Sequence, residues 1–191
     1  ARCAARCWRA ARSGTADTSA VAVISALLSE PERLAETLTA TGSDVVVGAY
    51  VRLRPDGTGA YVPGTVQPWV RAATEPERHG TTLGAHPELS GNVVAWSKLS
   101  RIELWRRHAL RFPEGKLYED QIVAQLLYTH ARGIDAIPDV VVQWRERADG
   151  SSITQRKDAL VVLADYLEAM RGGLAVLDAA GHRAAARARV R

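Results

Sequence analysis

The hydrophobic positions fall into two periods along the chain. SEPERLAETLTATG predicts a helix: Ser29 suits the N-cap, Pro31 the first turn, Leu34 and Leu38 share a face, and Gly42 can end it. SDVVVGAYVRL then changes texture. Val45, Val46 and Val47 form a β-branched run followed by Tyr50, Val51 and Leu53, the pattern of a strand buried on both faces. The pair Asp56–Gly57 marks a turn, and WVRAATEPERHG predicts a helix broken near Pro76. A further helix is predicted over Ser100–His108. EDQIVAQLLYTHARG places Ile122 with Leu126 and Val123 with Leu127 on one face, closed by Gly133. IDAIPDVVVQWRER predicts a short strand, a proline break and a second strand. A helix is predicted from about Gln155 to Met170, its stripe formed by Leu160, Leu163, Leu167 and Met170, with Gly172 and Gly173 ending the ordered body. Strands alternating with helices place the chain in the α/β class, with few strands for a complete doubly wound sheet.

Composition adds a division between body and ends. The 191 residues suit one domain, 47% of them are apolar, and a core is therefore affordable in area. The net charge of +4 belongs to the ends. Arg2, Arg6, Arg9 and Arg12 precede residue 17, and Arg183, Arg187, Arg189 and Arg191 follow residue 181; without those eight, 17 basic residues face 21 acidic ones. A groove for specific nucleic acid needs basic residues on a folded face, and the body does not supply that excess. Basic tails can touch anionic lipid or RNA by charge alone, against the plainer reading of solvated, frayed ends. The organisation expected is an irregular segment 1–28, a domain 29–171 and a basic tail 172–191. Cys3 and Cys7 lack companion zinc ligands and read as free thiols, with a reducing cytoplasm as the default. The longest apolar run, Ala20–Leu28, is far below the roughly 20 residues of a membrane span, and no secretory h-region is visible.

The candidate chemistry lies in PEGKLYEDQIVAQ, where Glu119 and Asp120 stand at a predicted helix start. Carboxylates favour such starts because unpaired N–H groups and the helix dipole stabilise negative charge. The same field keeps a carboxylate ionised, as a general base must be. Cap and base are both open on spacing alone. His86, His108 and His130 show no metal-ligand spacing, so no metal-binding residue is assigned.

Three further stretches accompany the pair in order: SDVVVGAYVRLR at 43–54, WSKLSR at 96–101 and VVVQWRERADGSSIT at 140–154, with LRFPEGKLYEDQ at 110–121 between the last two. Together they resemble the second half of family 2 glycosyltransferases of GT-A fold, nearest to actinobacterial members that accompany cell-envelope polymer synthesis. The resemblance covers Ser29 to Met170. It implies a partial GT-A-like, Rossmann-like α/β domain with irregular basic tails. It also implies inverting transfer of a sugar from a nucleotide-sugar donor to a hydroxyl acceptor, a glycan or polyol polymer; with the cytoplasm as default, the charge of the basic tails adds peripheral contact with the inner face of the membrane as an expectation. Asp120 matches the family's base, and Glu119 the residue that orients acceptor or base. Trp96, Lys98 and Tyr118 match positions around the acceptor, and Arg145, Arg147, Ser151 and Ser152 the segment facing the diphosphate. Each also has a plainer role: core packing for Trp96, a surface site for Lys98, helix capping for the serines. A divalent metal, Mg or Mn, is expected for the family, but its Asp-x-Asp ligand motif is absent: the stretch before DVVVG reads TSAVAVISALL, with Asp17 alone. Two other classes stand beside the enzyme, a non-catalytic remnant serving as a binding module and a basic-tailed surface binder.

Overall fold

The computed structural model describes residues 21–23, 31–148 and 160–190. In chain order these form β1 (Val21–Val23), α1 (Pro31–Thr41), β2 (Val45–Pro55), β3 (Tyr61–Pro63), α2 (Pro68–Thr74), β4 (Arg78–Thr81), β5 (Lys98–Arg101), α3 (Ile102–Arg107), α4 (Asp120–His130), β6 (Ile134–Arg145), α5 (Leu160–Ala179) and α6 (Arg183–Arg189). Two short 3-10 turns, Pro87–Gly91 and Ala95–Ser97, lead into β5. The strands make one mixed sheet in the order β1-β5-β2-β6-β4, with β3 paired to the far end of β2. Only β2 and β6 run parallel; β5 is antiparallel to β2 and β1, and β4 is antiparallel to β6.

The valine run behaves as its texture predicts. Val45 and Val47 point into one core with Leu104, Val123, Leu127 and Ile134. Val46 points into the other with Leu34, Leu38, Val70 and Leu99. Alternate residues of a strand face opposite ways, so a strand covered on both sides is apolar at every position. The helices α1 and α2 cover one face; α4, α5 and α6 cover the other.

Five expectations are corrected. Pro138 does not divide β6 into two strands. The residues opposite Val47 and Ala49 are Ala136 and Val140, so Pro138 falls in a bulge where no ladder N–H is needed. The segment 1–28 is not irregular throughout, since Val21–Val23 pairs with β5. Gly172 and Gly173 do not end the body. They lie inside α5, where a Cβ on Gly173 would stand 3.3 Å from the carbonyl oxygen of Gln121, and one on Gly172 2.6 Å from Ile122 Cδ1. Their missing side chains let α5 press against α4. The tail after 172 is consequently folded: Leu177 and Ala185 are fully buried in the core beside α4. With α5 extended past Met170, its buried residues are Val162, Ala169, Gly173 and Leu177, and the predicted leucine stripe faces out, Leu160 being 84% exposed.

Candidate active site

The site forms where the turn before β5 meets the start of α4. The left-handed backbone of Tyr118, φ 58°, delivers the acidic pair. A bulky aromatic residue rarely adopts that region, and residues held there cost of order 1–3 kcal/mol and concentrate at functional sites. The loop carrying the pair is tied to α5: Leu117 N–H donates to Asp165 Oδ2 at 3.2 Å, and Lys116 Nζ reaches Glu168 Oε2 at 2.7 Å.

The cap reading fails for Glu119. It occupies the N-cap of α4, yet its side chain makes no cap hydrogen bond and is exposed. Asp120 is the first residue of α4, and its carboxylate accepts from two backbone N–H groups, that of Ala95 in the 3-10 turn and its own. Apolar walls surround it. Asp120 shares a cavity of about 10 Å³, room for roughly one water, with Val93, Phe112, Val123 and Lys98. Burial, and then the neighbouring charge of Glu119, push the Asp120 carboxyl up to about 6, while Lys98 and the Ala95 N–H pull it down.

Lys98 is not a surface lysine; it is 5% exposed. Its Nζ donates to Val94 O at 2.7 Å and Asn92 Oδ1 at 3.0 Å and lies 5.6 Å from the centre of the Tyr128 ring. Burial pulls its pKa down to about 7, partly opposed by the charge of Asp120. Near neutral pH, Asp120 is therefore mostly ionised and Lys98 is near its midpoint, perturbed in the way burial perturbs groups at functional sites. Asn92 organises this corner. Its amide donates to Gly48 O at 3.3 Å, its Oδ1 also accepts from Ser97 Oγ at 3.1 Å, and its backbone O accepts from Tyr128 Oη at 2.7 Å.

The other predicted residues separate. Tyr118 packs edge-on to Tyr166 beside the pair. Trp96 packs between Tyr50, 4.8 Å away, and Trp144, 5.7 Å away, so its indole is chiefly packing. Arg145 is exposed and lies over the Tyr61 ring at 5.3 Å. On β2, Lys98 is in register with Val47 and Arg145 with Leu53, six residues apart, or roughly 20 Å of strand. Arg147 is exposed just beyond β6. Ser151 and Ser152 lie outside the described residues. The structure thus gathers Asp120, Glu119, Lys98 and Tyr118, and holds Arg145 apart from them.

Among the described residues no three of His, Cys, Asp and Glu come together. Glu119 and Asp120 do not make a divalent-metal cage of the oxygen-rich kind Mg or Mn needs. The residues present do not fit that group, and no step is routed through it.

Sequence reasoning missed Gln121, Asn92 and Arg189. Gln121 directly follows the acidic pair and is nearly buried. Arg189 sits on α6, half-buried, with its guanidinium hydrogen-bonded to Gln121 Oε1. The signal that conceals it is its place among alanines and arginines, which read as a solvated tail.

The fold is a partial, Rossmann-like α/β domain. Solved structures of S. aureus TarS share it. The chain aligns with TarS 1–349 in complex with UDP-GlcNAc at TM-score 0.52 and 18% identity, over 76% of this chain and 38% of that one. It aligns with TarS at TM-score 0.51 and 18% identity, over 75% and 21%, and with TarS 1–349 in complex with UDP at 0.50 and 17%, over 76% and 36%. The chain therefore spans less than two-fifths of each of these three. No family model and no curated protein matches the chain. Among the described residues, no helix is long and apolar enough to cross a membrane.

Proposed function

We propose that this chain is the acceptor-and-base half of a family 2, GT-A-type glycosyltransferase. It would transfer a sugar with inversion from a nucleotide-sugar donor to a hydroxyl of a cell-envelope glycan or polyol polymer, at the cytoplasmic face of the membrane. The observation that carries the reading is Asp120. It is a half-buried carboxylate that reaches across from the start of α4 to the Ala95 N–H, in one cavity with a buried lysine, with a pKa raised to about 6. A base of that strength is ionised at neutral pH yet basic enough to accept a proton as the acceptor oxygen becomes positive. Asp120 takes the proton of the attacking hydroxyl. The bond from that oxygen to the anomeric carbon forms as the bond from that carbon to the diphosphate oxygen breaks, and the nucleoside diphosphate leaves with the electron pair. Lys98 helps keep Asp120 ionised. Glu119, exposed beside it, orients the acceptor. Arg145, Arg147, Ser151 and Ser152 remain assigned to the diphosphate side by resemblance. The UDP-GlcNAc and UDP bound in the similar TarS structures support a nucleotide-sugar donor.

The test is the anomeric configuration of the product formed from UDP-sugars when a donor-binding half precedes residue 29. Inversion, read by proton coupling at the anomeric carbon, is the expected result; retention overturns the reading. One observation favours a second reading, a binding module without turnover: the cavity at Asp120 holds only about 10 Å³. Under it, no sugar moves while polymer binding persists.

A further inference from the structure

The residues after 181 are placed against the site by several contacts. Glycine at 172 and 173 lets α5 close on α4. The turn after α5 uses Gly181 at φ 77° and the bond from His182 N–H to Leu177 O at 2.8 Å. Ser90 Oγ donates to Ala185 O at 2.9 Å, fixing the middle of α6. The last turn then carries Arg189 to Gln121, the residue after Asp120.

A guanidinium loses hydration on entering such a place, so something nearby must offset the loss. Among the described residues no carboxylate lies within ion-pair distance of Arg189, and its hydrogen-bond partner is a neutral amide. Burial lowers its pKa, opposed by Tyr166 of α5, Asp120 and Tyr128 of α4, and Tyr50 of β2. Asp120 is the one carboxylate in that set. From its own side Asp120 faces Glu119, Lys98 of β5, the Ala95 N–H and the phenols of Tyr118 and Tyr50. Glu119 works against its charge, and Lys98 is itself near its midpoint, so a permanently charged arginine adds what neither neighbour supplies.

We infer that Arg189 is a positioning residue for Asp120: it fixes the first turn of α4 through Gln121 and supplies a constant positive charge that favours the ionised carboxylate. The inference rests on the reading of Asp120 as the base. The coupling is seen from the arginine's side, while Glu119, Lys98 and the backbone N–H groups dominate at Asp120 itself.

The experiment is a carbon-detected NMR titration of the Asp120 carboxyl in the full chain. It compares wild type with Arg189→Gln, Arg189→Lys and, as a control on the exposed face of the same helix, Arg183→Gln. Arg189→Gln is expected to raise the Asp120 midpoint by about half a unit, less than the roughly 1–3 units of an opposite charge in direct contact, because no ion pair joins the two. Arg189→Lys should stay close to wild type, and Arg183→Gln should not move it. An unmoved midpoint in Arg189→Gln overturns the inference, as does an equal move in Arg189→Lys or Arg183→Gln. Should Arg189→Gln fail to fold, Gln121→Ala frees the guanidinium without removing it and is expected to raise the midpoint too; no change there overturns the inference. The titration does not depend on turnover. Loss of the base reading would appear in rates while this coupling stayed intact.

Discussion

Two aspartates lie at the starts of neighbouring elements and illustrate opposite uses of a buried carboxylate. Asp135, at the start of β6, is fully buried. Its oxygens accept from Thr41 Oγ1 at 2.5 Å, Ser43 Oγ at 2.8 Å and Gly80 N–H at 2.9 Å. It thereby joins the end of α1, the turn into β2, and β4. Asp120, at the start of α4, is less buried and has no side-chain donor of this kind: two backbone N–H groups, a buried lysine nearby, a like charge and apolar walls surround it. A carboxylate with donors on both oxygens is held as structure and has little left to give. One with few donors in a dry wall is costly to ionise and is available to react.

The contrast breaks first at Asp135. Asp135→Ala leaves the Ser43 hydroxyl and the Gly80 N–H without this acceptor, while Thr41 keeps Thr37 O, and unfolding free energy should fall by about 2 kcal/mol or more, seen as a lower urea midpoint. A loss near zero would mean that water replaces the carboxylate and that Asp135 is no hub.

Asp120 should behave in the opposite way. Its folded pKa, about 6, stands above the ordinary carboxyl value of 3.8. Between those values the folded state holds more protons, so stability from this group falls as pH rises toward 6 and the penalty is complete above it. Asp120→Asn should therefore stabilise the fold at pH 8 by about 1–2 kcal/mol, allowing for partial screening by solvent. The gain should vanish below about pH 4 in thermal melts. Destabilisation at pH 8 would return Asp120 to a structural role.

The smallest effect sharpens the comparison from a third carboxylate. Asp44 is held by Arg132 at 2.8 Å, but the arginine side chain is 70% exposed. Arg132→Ala should lower the urea midpoint only slightly, and less in high salt. Arg132 lowers the pKa of Asp44, so this contribution is present above pH 3.8 and fades as pH falls through the lower folded value. Equal stability of the variant at low and neutral pH would show that the pair adds nothing.

Local periodicity carries much of the fold. The valine run, the stripe of α4 and the Pro31 and Gly42 boundaries of α1 are readable because each element alone shows its reason. The short strands β1, β3 and β4 are not, since three or four residues hold no period and exist through pairing with β5, β2 and β6. Gly172 and Gly173 misled because a glycine pair signals a terminus and a close helix contact alike; only the position of α4 decides between them. At the site, the acidic pair was legible from its helix start. The burial of Lys98 was not, because its partners Asn92 and Val94 lie in an irregular turn. Arg189 was the least legible, for its role depends on a contact 68 residues away.

The central claim is that Asp120, rather than Glu119, takes the acceptor proton. Its most direct test is the sugar-transfer rate of Asp120→Asn and Glu119→Gln, measured from pH 5 to pH 8 with a donor-binding half restored. The account predicts that Asp120→Asn loses roughly 10²–10⁴-fold in rate, that Glu119→Gln loses less, and that the unaltered protein shows an acid limb centred near pH 6. If Asp120→Asn turned over normally while Glu119→Gln abolished transfer, the assignment would be reversed. If both turned over normally, the carboxylates would have no part in the chemistry.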